Sequence, residues 1–212
     1  MKAEFVISAL LLVSFLPMAA VPGYWALCRV AEVPIEQVRF FSGPTICSFL
    51  FRGTRIEIGL IPIGNYIKTE PCEFKKRGPG FALAVTLIGP VFTLLVAVGA
   101  LGVVEAFRQF ASGFCQLYLG ALHPAANAQA MFLRLQGEFS ASTTAVVGII
   151  AAKLTAFELL PVGGPTFLKM MTLLFGLSWE NRTVKVISVL VYAVANIIFL
   201  LWALALLIYA LK

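Results

Sequence analysis

Four stretches of the chain hold apolar residues almost without interruption for twenty positions or more. Phe5–Leu27 carries no charge, Phe81–Val104 runs 24 residues without one, and Val186–Leu211 runs 26. The remaining stretch, Ser140–Val162, is broken only by Lys153 and Glu158. A hydrocarbon layer about 30 Å thick needs roughly 20 apolar residues per crossing helix. The pattern predicts an α-helical polytopic membrane protein with four transmembrane helices. It reads as a single membrane domain over 1–212, with spans at about 5–27, 81–104, 140–162 and 186–211.

The pattern changes between the first two spans. In the region of about 30–78, Val38, Phe40, Phe41, Ile56, Ile58, Leu60 and Ile61 suit strands, and Phe49–Ile58 reads as a hairpin around Arg52–Gly53. Pro62, Gly64–Asn65 and Pro71 punctuate the chain beyond the hairpin. An open sheet edge is untenable against lipid, so this short membrane-associated β-region belongs in water, at the interface or against protein. Arg55 to Leu60 is expected as a strand paired within the chain or with a partner. The segment 105–139 admits three readings: two short interfacial helices with a turn at Leu122–Asn127, a re-entrant pair, or a fifth span.

Charge refines the topology. Lys2, Phe5–Leu16 and Ala20 have the order of a signal peptide, but Glu4 and Met18 fit one poorly. The first stretch is therefore read as a retained helix broken near Pro22–Gly23. With four spans, Arg29–Gly80 contributes eight of the 16 Lys and Arg to one side, joined by Lys169, Arg182 and Lys185. The other side receives Lys2, Arg108, Arg134 and Lys212. The positive-inside rule then puts the basic β-loop in the cytoplasm and both termini outside. A fifth span would divide the basic loops across the membrane, which favours four.

Composition narrows the chemistry. With 60% hydrophobic and 12% charged residues, soluble, disordered and nucleic-acid-binding classes are excluded, and the net charge of +6 speaks to orientation instead. All ten acids are Glu, there is no Asp, and His123 is the single histidine. Cys28, Cys47, Cys72 and Cys115 have no CxxC spacing and read as small hydrophobes.

Several phrases, in order, resemble the site-2 proteases, the intramembrane zinc metalloproteases. Val33–Pro44 resembles the strand after their first helix, and Arg52–Lys68 resembles their membrane-associated β-loop. Ile88-Gly89-Pro90-Val91-Phe92-Thr93 is similar to the Gly-Pro-x-x-Asn of their second core helix. Glu158-Leu159-Leu160-Pro161-Val162 is similar to the Asn-Leu-Leu-Pro-Ile that precedes their Leu-Asp-Gly. The resemblance covers about 20–100 and 140–211.

The departures bear on activity. The resemblance implies a His-Glu-x-x-His pentad, whose histidines bind zinc and whose Glu is the general base. Its place here is Ala19-Ala20-Val21-Pro22-Gly23, and Pro22 is expected to break the helix. The family's third ligand, the Asp of Leu-Asp-Gly, falls on Thr166. The two family asparagines fall on Thr93 and Glu158. Without two His and an Asp there is no Lewis acid for a bound water, so a degenerate member without metal or cofactor is expected. His123 reads as a turn residue. A Ser/Lys pair of Ser140 or Ser142 with Lys153 lacks reach, since Ser142 lies three helical turns away.

The expected role is a scaffold or accessory subunit of a larger complex in the bacterial inner membrane, with membrane protein subunits and lipids as partners and no nucleic acid. Candidate partner-binding residues are Arg55, Ile56, Glu57, Ile58, Gly59 and Leu60 of the β-loop. An aromatic stripe, Phe107, Phe110, Phe114 and Tyr118, joins them. The alternative is a transport or proton-conducting component using the intramembrane Lys153 and Glu158. An active protease is the third reading.

Overall fold

A computed structural model describes residues 2–70, 76–160, 165–176 and 182–211. Helix α1 (Lys2–Phe15) leads through a 3-10 turn (Pro17–Ala20) into α2 (Val21–Val30). Strands β1 (Ile35–Phe51) and β2 (Thr54–Thr69) come next, then α3 (Gly78–Leu101), α4 (Val103–Leu122) and α5 (Asn127–Ala141). The chain closes with α6 (Thr143–Glu158), α7 (Pro165–Leu174) and α8 (Arg182–Leu211). Two compact units result: Val13–Gly89, and Met1–Leu12 with Pro90–Lys212.

Among the described residues, three helical stretches are long and apolar enough to cross a membrane: Glu4–Val30, Gly78–Leu101 and Arg182–Leu211. The expected span at 140–162 is corrected. Ser142 caps α6 by accepting from Ala145 N at 3.3 Å, and the helix ends at Glu158 after 16 residues. At 1.5 Å per residue that is about 24 Å, short of the hydrocarbon thickness. Residues 161–162 of that expected span lie outside the described residues. Val146, Ile150, Ala151, Ala152 and Ala156 of α6 are buried by protein, which explains the apolar run without lipid. The premise that put both termini on one side, four crossings, goes with it.

The helix break also moves. It falls at the 3-10 turn that opens with Pro17, while Pro22 lies in the first turn of α2, where a missing N–H costs no intrahelical bond. Asn65 Nδ2 donates to the Pro17 carbonyl at 3.1 Å, so β2 satisfies the turn.

In the first unit, the hairpin forms where the residues predict it. Arg52 (φ 48°) and Gly53 (φ 84°) make the two-residue turn between Phe51 and Thr54. The register runs from Phe51–Thr54 to Cys47–Ile58 on one side. A positive φ at Phe41 and Gly43 then bends β1, and its first half pairs with Asn65–Thr69. That first half also lies beside Arg55–Ile58: Gln37 faces Arg55, Val38 faces Ile56, Arg39 faces Glu57 and Phe40 faces Ile58. Gly59 permits the fold-back, because a Cβ there would lie 2.4 Å from the Ser42 carbonyl oxygen.

In the second unit α4 and α6 pack through small residues. Ala106, Gly113, Ala152 and Ala156 are buried, and a Cβ on Gly113 would meet Ala156 Cβ at 2.7 Å. One core gathers Ala9, Val146 and Ile150 with Leu135 and Phe139; another gathers Ala121, Leu160 and Ile198 with Phe114, Tyr118 and Trp202. Phe5 is fully buried, edge-to-face with Phe139 at 5.9 Å and with Tyr209 at 6.0 Å. Polar hooks hold α8: Gln129 Nε2 donates to Ala205 O at 2.7 Å and Trp202 Nε1 to Leu117 O at 3.0 Å. The segment 105–139 falls within two helices joined by a turn at His123–Ala126, a form common to the interfacial and the re-entrant expectations.

Candidate functional site

The polar residues of α6 mark the chemistry the apolar sequence retains. Lys153 is half-buried; its ammonium donates to Gln109 O at 2.7 Å and to Ser112 Oγ at 2.8 Å, both on α4. Less than one turn further along, Thr155 is buried and shares a hydrogen bond of 2.8 Å with Thr93 of α3. At the helix end, Glu158 accepts from Thr166 Oγ1 of α7 at 3.2 Å. Lys153 and Glu158 therefore each have a separate partner. Gln109, Ser112 and Thr155 were missed from sequence; a Thr within an apolar helix and a Ser one turn after a Gln were their only signals.

The aromatic stripe divides. Phe107 is exposed, Phe110 stacks edge-to-face on Phe114 at 5.1 Å, and Phe114 and Tyr118 pack into the core with Leu160 and Ile198. Half of the stripe is thus bundle core, and its Phe107 end is free surface.

The β-loop residues form the expected strand, with a correction to how they offer themselves. Arg55 to Ile58 have backbone neighbours on both sides, Leu50–Cys47 and Gln37–Phe40. A central strand has no main-chain groups to lend to a partner. The stretches paired on one side only are Cys47–Phe51 and Asn65–Thr69. Glu57 sits 3.7 Å from Arg39 Nη1, while Arg55 and Leu60 are exposed. At the far end of the ladder, Glu36 lies 2.5 Å from Lys68 Nζ and holds that ammonium's pKa above its ordinary value.

The zinc implied by the resemblance can be tested against the side chains present. Ala19, Ala20, Val21, Pro22 and Gly23 offer no nitrogen, sulfur or oxygen donor, and Ala20 and Val21 are buried. Thr166 and Glu158 supply one hydroxyl and one carboxylate, already bonded to each other. His123 is exposed at the end of α4. Among the described residues no three His, Cys, Asp or Glu come together. A zinc centre needs at least three such donors, so these residues do not fit the ion.

Two curated relatives share part of this sequence. A protein named "Putative zinc metalloprotease" of Helicobacter pylori is 29% identical over 72 residues, 34% of this chain and 21% of its own. A second protein so named, from Clostridium acetobutylicum, is 24% identical over 83 residues, 35% of this chain and 24% of its own. The match thus spans less than a quarter of either relative's length. The sequence model of peptidase family M50 matches residues 23–208, most of the chain. The chain belongs to peptidase family M50.

Proposed function

We propose that this chain is a member of the M50 family without peptide-cleaving chemistry, retained as a scaffold or accessory subunit of a larger complex in the bacterial cytoplasmic membrane. The observation that carries the reading is the donor count. One exposed His and no Asp cannot supply the two histidines and one aspartate of the zinc centre that the resemblance implies. The positions that resemble the two histidine ligands carry Ala19 and Gly23, and that of the general base carries Ala20, which is buried; Thr93, Glu158 and Thr166, at the other ligand and polar positions, bond to neighbours in the fold. A helper role is also supported by apolar surface: Phe107, and the one-sided strand Cys47–Phe51.

The test is mild-detergent extraction of native membranes, followed by size measurement and identification of co-purifying chains. A defined membrane protein partner in fixed ratio is expected. A stable, monodisperse monomer as the dominant species overturns the proposal.

A conducting role remains the second reading, and Lys153→Met separates the two. The variant removes a half-buried ammonium and the charged hydrogen bonds, about 1.5–3 kcal/mol each, that tie it to α4. A scaffold keeps assembling its complex with this variant. A conductor keeps the complex and loses flux. The scaffold reading is favoured because Lys153 and Glu158 are each tied to a structural partner, with no chain of titratable groups joining them among the described residues.

A further inference from the structure

A cavity of about 330 Å³ opens at the end of the first span-length helix, lined by Trp25, Arg29, Glu32, Ile35, Arg52 and Thr54 among others. Its walls are fixed. Thr54 is buried and its hydroxyl donates to Ile35 O at 3.0 Å, clamping the start of β2 to the start of β1. The charge is uneven. Glu32 is paired with Arg77 at 3.5 Å, which neutralises the cavity's carboxylate. Within the described residues the guanidinium groups of Arg29 and Arg52 make ring contacts only, at 5.4 Å over Trp25 and 5.6 Å over Phe51. Two exposed cations therefore line one cavity whose single carboxylate is engaged by Arg77.

The surface flanking the two arginines decides which anion fits. Val30, beside Arg29, is 84% exposed; Leu50 and Phe51, beside Arg52, are 74% and 51% exposed. Trp25 is half-buried in the last turns of the helix, the position where indoles anchor spans at the headgroup level. Guanidinium is the group best matched to phosphate oxygens, through its planar fork of donors. A lining with two arginines, flanked by exposed apolar residues at the end of a helix long and apolar enough to span, suits an anion that carries hydrocarbon. We propose that this cavity binds the phosphate of an anionic phospholipid, with Arg29 and Arg52 as its ligands and Trp25 as the wall that orients Arg29. The site is independent of whether the chain works as a scaffold.

The test is native mass spectrometry of the full chain in neutral detergent, with dioleoyl phosphatidylglycerol, dioleoyl phosphatidylcholine and inorganic phosphate as separate probes. One phosphatidylglycerol per chain is expected to survive, with phosphatidylcholine retained more weakly and inorganic phosphate unable to displace the lipid at equal concentration. Arg52→Gln lies on an exposed turn, and it and Arg29→Gln should each weaken retention about fivefold. Arg182→Gln, on α8, should leave it unchanged. Equal retention of the two lipids, or unchanged retention in both cavity variants, overturns the site. Displacement by inorganic phosphate overturns the lipid assignment in favour of a free anion. The three-probe comparison needs no variant, so a misfolded one leaves the proposal testable.

Discussion

Thr93 and Thr155, 62 residues apart in sequence, share a hydrogen bond of 2.8 Å at a fully buried point between α3 and α6. Each hydroxyl has one proton and can accept from the other. One donates across the pair, and the other donates to a carbonyl of its own helix, Pro90 O at 3.1 Å or Ala151 O at 3.0 Å. Thr93→Val keeps the shape and removes this link; Thr155 retains the Ala151 carbonyl, so the expected loss is about 1 kcal/mol. Thr155→Val should cost the same, and the double variant little more than either. Thermal unfolding in detergent checks this, and additive losses with coupling below about 0.3 kcal/mol would contradict it.

Gly120 and Gly137 make a paired prediction with opposite signs. A Cβ on Gly120 would stand 2.2 Å from Cζ2 of Trp202. That ring cannot step aside, because its Nε1 is bonded to Leu117 O and its face meets Phe132 edge-on at 5.6 Å. Gly120→Ala should destabilise by about 1–3 kcal/mol. Gly137 is inside α5, and a Cβ there has nothing within 4 Å. Gly137→Ala should stabilise by about 0.5–1 kcal/mol through helix propensity. A melting temperature that does not fall in Gly120→Ala would show the α4–α8 contact to be wrong, and one that does not rise in Gly137→Ala would show the open site on α5 to be wrong.

The uneven legibility of this chain has a physical cause. An apolar run reports that side chains leave water, without reporting whether lipid or protein receives them. That ambiguity made α6 look like a span, although Ser142 was a readable cap and Ala151, Ala152 and Ala156 are small enough for close helix packing. The turn at Arg52–Gly53 was legible because two residues there must take positive φ. The pairing of Arg55–Ile58 on both sides was not, since it depends on a bend at Phe41–Gly43 that non-local contacts stabilise. The same holds for Lys153: its presence in an apolar helix was plain, while its acceptors on α4 lie more than 40 residues away.

The start of α4 predicts a pH response. Glu105 accepts from Arg108 Nη2 at 2.7–2.8 Å and from Gln109 Nε2 at 2.7 Å, and these bonds hold its carboxyl below the ordinary range. A depressed folded-state pKa gives stability that is fully present above the unfolded carboxylate value, about 4.3 for Glu, and lost as pH falls through the folded one. The melting temperature of the unmodified chain should exceed that of Glu105→Gln by a constant margin above about pH 5. The margin should shrink as the pH drops below about 4. The pair is exposed, so the margin is small and salt should reduce it. A gap that widens on acidification would reverse the assigned sign.

The donor set predicts metal content directly. Zinc in proteins is held by His, Cys, Asp or Glu at about 2.0–2.3 Å, and a catalytic ion uses three such residues and a water. Of the thiols, Cys28 is buried and Cys47 and Cys115 are exposed, in separate elements, while Cys72 lies outside the described residues. Glu158 is committed to Thr166, and His123, at the end of α4, belongs to no group of three such donors among the described residues. The purified chain should therefore carry far less than one zinc per molecule. Adding zinc should leave its melting temperature unchanged, because an ion with no folded site contributes no binding free energy to the native state. His123→Ala should alter neither result. Metal analysis giving close to one zinc per chain, removed by a chelator with a fall in melting temperature, would refute the pseudoprotease reading.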